Sequence, residues 1–295
     1  MQTRIGFIGA GLMGHGAVKH LLLNGYAVQL LAHRSRELIK DLIERGATET
    51  SSAAELAQNS DVLFLCLPNA AVVEQVATAD GGLLEGAHPG LLVVDMTTSL
   101  PALTRRLADA FARYGAEFID APLARTPKEA DLGKLNMMVG GSPQQYQRAQ
   151  SLAQHFCENI WHIGAIGSAH TFKLLNNSIV AANIATVLEA AVAAERLGVD
   201  HELLVEICSQ GGANSAALNM IMPYIVSQDS STFQAHTATL LKDLRYYVQL
   251  TEEAGLGATM AQASKQLFQL TAAMGEAQTM VPKLYDTLRK LDDRR

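Results

Sequence analysis

Arg4-Ile5-Gly6-Phe7-Ile8-Gly9-Ala10-Gly11-Leu12-Met13-Gly14 is a short apolar run that breaks into glycines and then takes on helical composition. It reads as strand, tight turn and helix. The spacing Gly9-x-Gly11-x-x-Gly14 has a mechanical meaning. Gly9 permits the turn, Gly11 lets a pyrophosphate approach the backbone, and Gly14 lets helix pack closely on strand. From Leu12 and Met13 onward, unpaired amides and the positive end of the helix would face the phosphates without a basic side chain. Glycine turns also follow strands for steric reasons alone, so the surrounding chain has to decide.

A second apolar run, Ala27 to Ala32, arrives where the next parallel strand is due, after a helix that ends near Asn24-Gly25. At its tip an acidic residue would hold the ribose hydroxyls of NAD, but the chain has His33-Arg34-Ser35-Arg36 and no carboxylate. Arg34 with Ser35, flanked by His33 and Arg36, suits a 2′-phosphate, which predicts NADP in preference to NAD, with NAD still possible. The other reading of these arginines is solvated surface.

With 295 residues and 48% hydrophobic content the chain can bury two ordinary cores. A net charge of −6 argues against nucleic acid as a partner. Cys66, Cys157 and Cys208 are odd in number and widely spaced, which predicts buried free thiols and neither a disulfide framework nor a metal site. The first strand follows the first residues directly, so no secretory signal is expected, and Ile179 to Ala194 is interrupted by Asn183 and Glu189. No membrane span and a cytoplasmic location are expected.

Strand signals recur at Asp61–Leu67, Leu91–Met96, Glu117–Ala121, Leu135–Val139 and Ile160–Ile163, mostly separated by helical segments. Alternation of this kind predicts an α/β domain with a doubly wound, mainly parallel sheet. After Gly164 and Gly167 strand signals cease. The expected domains are 1–164, for the dinucleotide, and an all-helical 165–295, joined by a long helix from about Ala169 to Leu197 that Gly198 caps. Amphipathic segments follow near Glu202–Ser209, Ser215–Ile225, Thr237–Ala254, Met260–Met274 and Val281–Leu291, and their apolar faces call for partners, a second subunit included.

In a doubly wound sheet the carboxyl ends of the strands open onto the cofactor crevice, which places Leu67-Pro68 and Thr97-Thr98 there. Ordinary turn chemistry accounts for them equally well. Arg125, between Pro122 and Pro127, lies on a loop over the same edge and offers a bidentate fork for an anion. In the long helix, Lys173, Asn176 and Asn177 stand at i, i+3 and i+4 and share one face. An ammonium beside a carbonyl oxygen can donate a proton and stabilise alkoxide charge; a solvated lysine on a polar helix start is the plainer alternative. Farther on, Phe233, Lys242 and the turn Gln210-Gly211-Gly212-Ala213 are possible contacts to cofactor or anion, and equally a helix surface and a helix connection.

Gly9-x-Gly11-x-Met13-Gly14, Asp95-x-Thr97-Thr98-x-x-Pro101, Asp120-x-Pro122, Gly164-x-x-Gly167 with Lys173-x-x-Asn176-Asn177, and Phe233 with Lys242-Asp243-Leu244 occur in this order. The set resembles the β-hydroxyacid dehydrogenases, which include 3-hydroxyisobutyrate dehydrogenases and tartronate and succinic semialdehyde reductases. The resemblance implies a Rossmann-type first domain, an all-helical second domain and an active site in the cleft between them. It further implies Lys173 as general acid/base, Asn177 as its partner, and Lys242 as a contact to cofactor or substrate. Most members carry Ser-Gly-Gly where this chain has Ala124-Arg125-Thr126. Arginine and threonine here resemble the loop of the sulfolactaldehyde reductases, which implies that Arg125 and Thr126, with Asn176, meet a larger or differently placed anion, carboxylate or sulfonate.

The resulting expectation is hydride transfer between NADP(H) and a small anionic aldehyde or hydroxy acid, in a homodimer or homotetramer. Two alternatives stand beside it, an imine reductase on the same scaffold and a noncatalytic dinucleotide-binding module. Retention of Lys173 and Asn177 favours alcohol and aldehyde chemistry.

Overall fold

A computed structural model describes residues 3–31 and 36–292. The chain divides into two compact units, one up to Lys173 and one from Leu174 onward.

The first unit begins with β1 (Ile5–Ile8), α1 (Leu12–Leu23), β2 (Val28–Leu31), α2 (Arg36–Glu44), β3 (Thr48–Thr50), α3 (Ala53–Gln58), β4 (Val62–Leu65) and α4 (Ala70–Thr78). It continues through β5 (Leu92–Asp95), α5 (Pro101–Ala112), β6 (Glu117–Asp120), β7 (Leu123–Ala124), α6 (Pro127–Asp131), β8 (Leu135–Gly140), α7 (Pro143–Ala153) and β9 (Cys157–Gly164). Among the described residues the strands form one sheet in the order β3-β2-β1-β4-β5-β6-β8-β7, with β9 paired to β8. The first six are parallel, whereas β8 runs antiparallel to β6 and β7. The strand order reverses between β1 and β4, so the glycine turn after β1 sits at the switch point where such sheets bind ligands.

Strands β1, β4 and β5 are buried along their whole length, as apolar runs covered on both faces must be. Phe64 of β4 packs against Phe7 at 6.0 Å and edge-on against Phe156 at 5.9 Å between ring centroids. Each such fully buried ring contributes roughly 1.5–3 kcal/mol of burial energy. Strand β3, Thr-Glu-Thr, is a short polar edge strand and gave no apolar signal. Cys157 is buried, while Cys66 and Cys208 are only half-buried. Burial and the nearby Asp95 carboxylate push the Cys66 thiol up to about 12.

Helix α8 (Ser168–Leu197) starts in the first unit and continues into the second, ending at Gly198, whose φ is +71°. The second unit adds α9 (His201–Gln210), α10 (Ala216–Ser227), α11 (Thr237–Glu253), α12 (Thr259–Ala273) and α13 (Leu284–Asp292). The segment expected as one helix over Val281–Leu291 is broken, because Pro282 holds Val281–Lys283 in a 3-10 turn ahead of α13. By length and hydropathy α8 would fit a membrane span. Its Ile184, Leu188 and Ala191 instead supply core, packed with Leu218, Ile221, Leu244 and Phe268.

Candidate active site

At the switch point, Gly9 has φ +98° and a Cβ there would fall 2.2 Å from the Cys66 carbonyl oxygen. A Cβ on Gly14 would fall 2.2 Å from the Gly9 carbonyl oxygen, so helix and strand approach too closely for a side chain. A Cβ on Gly11 would meet nothing within 4 Å. Gly11 is the N-cap of α1, without a side-chain cap, and the first turn holds no acidic residue. An uncapped helix start, open space over Gly11 and a first turn whose own sequence holds no acidic residue fit a pyrophosphate, while Asp41 is engaged by His15 Nε2 at 2.7 Å. Leu12 is exposed and Met13 packs on the core beneath. His33, Arg34 and Ser35 lie outside the described residues.

The tips of β4 and β5 are tied together, for the Leu67 amide donates to Thr97 Oγ1 at 3.0 Å and the Thr97 amide to Asp95 Oδ1 at 3.0 Å. Pro68 is exposed and Thr98 half-buried on these tips. Asp95 is buried, and loss of water pushes its carboxyl above the usual carboxylate range, although His170 and the Thr97 bonds act the other way.

Asp120, at the end of β6, caps the start of α8. Its Oδ1 accepts from the Gly167 amide at 2.7 Å and its Oδ2 from the His170 amide at 2.8 Å. Gly140 makes room for it, because a Cβ there would fall 2.5 Å from Asp120 Oδ1. Lys173, one helical turn beyond His170, is only 8% exposed. Asp120 and His170 carry no role in the sequence reading above. The Asp120-x-Pro122 motif was the available signal for the first, and none existed for the second.

Four residues past Lys173, Asn177 donates through Nδ2 to Asp243 Oδ2 at 2.6 Å and accepts from the exposed Asn176 at 3.0 Å. The same carboxylate pairs with Lys242, whose ammonium lies 3.2 Å from Asp243 Oδ1 and 5.6 Å from the Tyr246 ring. Asp243 thus joins Asn177 to Lys242. Phe233 packs against the second unit's core. Gly211 ends α9, and Gly212 lines a groove with Asn183, Thr186, Cys208 and Met222, farther along α8 than Asn177.

Arg125 follows the short strand β7 with φ +82°, a conformation that favours glycine. Its Nη1 donates to the Lys134 carbonyl at 2.6 Å and forms an ion pair with Glu158 Oε2, 2.6 Å away. The Thr126 hydroxyl donates to Glu129, holding that carboxyl below the usual range and leaving the hydroxyl oxygen as an acceptor. Helix α6 then rests on α1. A Cβ on Gly16 would fall 2.3 Å from the Ala130 carbonyl oxygen, and Lys19 pairs with Asp131. The loop carrying Arg125 is therefore braced on the helix that starts at the glycine turn. Among the described residues no cluster of His, Cys, Asp and Glu is placed to hold a metal ion.

A glycine turn at the switch point of a doubly wound sheet, followed by a capped helix carrying a buried lysine, defines a nicotinamide-dependent oxidoreductase. Residues 4–164 match the family described as the NAD binding domain of 6-phosphogluconate dehydrogenase, and residues 167–285 the NAD-binding family of NADP-dependent 3-hydroxyisobutyrate dehydrogenase. The chain is 31% identical to 2-(hydroxymethyl)glutarate dehydrogenase of Eubacterium barkeri over 93% of its own length and 91% of the relative's. A Mycobacterium tuberculosis 3-hydroxyisobutyrate dehydrogenase, solved with L-serine, superposes with a TM-score of 0.87 at 26% identity, over 98% of this chain and 100% of that one. Psf3, solved in complex with NADP+ and 2-OPP, superposes with a TM-score of 0.83 at 26% identity, over 96% of this chain and 99% of that one. The chain belongs to the β-hydroxyacid dehydrogenase family, in its 3-hydroxyisobutyrate dehydrogenase-like branch. It is an NAD(P)-dependent oxidoreductase acting on CH–OH groups of hydroxy acids.

Proposed function

We propose that the protein interconverts a small anionic aldehyde and the matching 3-hydroxy acid, with NADP(H) as the favoured carrier and Lys173 as general acid/base. The observation that carries this reading is a lysine only 8% exposed, placed early on a helix whose start is clamped by Asp120. A lysine that loses its water and still stands at a fixed place is suited to proton transfer more than to solubility.

When bound, the dinucleotide supplies or accepts the hydride. Gly9, Gly11 and Gly14 with the amides of Leu12 and Met13 would hold its pyrophosphate, with Leu67, Pro68 and Thr98 as further contacts, and the family resemblance adds Phe233 and Lys242. Arg34 and Ser35 take the 2′-phosphate. Lys173 donates its proton to the aldehyde oxygen and stabilises alkoxide charge before transfer is complete. Asn177, held by Asp243, keeps the neighbouring face of α8 oriented.

Arg125 binds the acid end of the substrate. Its contacts to the Lys134 carbonyl and the Glu158 carboxylate are both made through Nη1, and the Nε and Nη2 edge would serve as the bidentate fork for carboxylate or sulfonate. Thr126 shapes that loop, and Asn176 adds an exposed amide. Gly211 and Gly212 remain candidate contacts to the anion through their turn amides, and Gly212 lines a groove with Asn183 and Thr186. A relative named for 2-(hydroxymethyl)glutarate and a structural neighbour solved with NADP+ support this substrate class and carrier. The exposed Leu197, Leu203 and Ile207 offer apolar surface to a second copy, which supports a homodimer or homotetramer, and a cytoplasmic location is the expectation that accompanies it.

Nicotinamide absorbance, followed with NADPH and then NADH against carboxylated and sulfonated semialdehydes, tests the reading. Turnover of at least one of these aldehydes with a higher kcat/KM for NADPH is expected. No turnover with any of them would overturn the substrate class, and equal or better use of NADH would overturn the carrier preference.

A further inference from the structure

We propose that His170 is a positioning residue for Lys173, a role that rests on the function proposed above for that lysine. The imidazole is 0% exposed and both ring nitrogens are engaged. Nε2 stands 2.8 Å from the Thr97 carbonyl oxygen, which can only accept, so Nε2 carries a hydrogen and donates. Nδ1 stands 2.7 Å from Thr104 Oγ1, on α5. The backbone amide of the same residue donates to Asp120 Oδ2 at 2.8 Å, and the Asp95 carboxylate lies 4.0 Å from Nε2.

His170 therefore fastens the first turn of α8 to three separate pieces of the sheet unit: the loop after β5, helix α5 and the tip of β6. Its bond to Thr97 connects it to the strand tips assigned to the dinucleotide, since Thr97 Oγ1 accepts from the Leu67 amide at 3.0 Å. Asp120 alone would hold the helix start through its backbone. The imidazole adds a side-chain tie on the helical face that, three residues on, carries Lys173. A leucine would fill comparable space, but it would leave the Thr97 carbonyl without its donor and let the helix start settle elsewhere. A shift of about 1 Å in a reacting group can cost on the order of a hundredfold in rate. The structure thus assigns His170 to the placement of the amine rather than to contact with substrate.

The test compares His170→Leu, His170→Gln, Thr104→Val and Lys173→Ala by steady-state kinetics, with folding checked by circular dichroism and thermal unfolding. For folded His170→Leu, kcat is expected to fall about ten- to a hundredfold while KM for aldehyde and cofactor stays within about threefold. His170→Gln, whose amide nitrogen can still donate to the Thr97 carbonyl, should recover most of that loss. A role in stability alone would lower the melting temperature and leave kcat of the folded fraction untouched, which would overturn the proposal, as would a Gln variant no better than Leu or a loss confined to KM. Should the Leu variant not fold, Thr104→Val decides. It removes the Nδ1 partner, together with that hydroxyl's 3.2 Å contact to the Leu100 carbonyl within α5, and is expected to lower kcat about threefold or more, and a native kcat there overturns the proposal. Turnover surviving Lys173→Ala would overturn both this role and that of the lysine, whereas loss in Lys173→Ala with none in the His170 and Thr104 variants would overturn this role only.

Discussion

The Asn177 side-chain amide donates to Asp243 Oδ2 at 2.6 Å, and the other oxygen of that carboxylate faces the Lys242 ammonium at 3.2 Å. One buried acid thus orients an amide on α8 and a lysine on α11 at once. A buried group with two partners is costly to remove, because the partners lose compensation for water they have already given up.

Asp243→Ala should accordingly destabilise the protein by about 1–3 kcal/mol, with a smaller loss for Asp243→Asn, which keeps an acceptor for Asn177. Urea unfolding midpoints measure both. An Ala variant as stable as the wild type would mean that the carboxylate organises nothing.

Arg125 holds a left-handed backbone, φ +82°, a conformation that favours glycine. For a residue with a Cβ this costs about 1 kcal/mol or more. Arg125→Gly relieves the strain and Arg125→Ala keeps it, while both lose the bonds to Glu158 and the Lys134 carbonyl. The Gly variant should therefore be about 1 kcal/mol more stable than the Ala variant by thermal unfolding. Both should raise KM for the aldehyde about tenfold or more with little change for cofactor. An unchanged KM would remove Arg125 from the substrate site.

Much of this arrangement was legible because local constraints and periodicity carry it. Gly9 and Gly14 are glycine for reasons that two adjacent elements impose, and the apolar runs of β1, β4 and β5 report burial on both faces. What stayed hidden depends on distant partners. Asp120 meets Gly167 and His170 across 47 and 50 positions, and His170 meets Thr97 across 73. Strand β3 is too short and polar to alternate, and β7 is a two-residue strand defined only by its pairing with β8.

Asp95 gives a prediction in pH. Its folded carboxyl titrates above the unfolded value because burial disfavours the charge. Over that window the native chain holds the proton more tightly than the unfolded chain does. Its contribution to stability is thus fullest below the ordinary carboxylate range and declines as pH rises from about 4 toward the raised value. Asp95→Asn removes this slope. The unfolding free energy of wild type minus variant should fall as pH is raised, and a difference that is flat or grows with pH would contradict the assignment.

The most direct measurement of the central claim is the turnover number of Lys173→Ala, taken with the affinity for NADPH by fluorescence titration. The account predicts a fall of roughly two to four orders of magnitude in kcat with cofactor affinity retained. A folded Lys173→Ala enzyme that binds NADPH and turns over at near the native rate would contradict it.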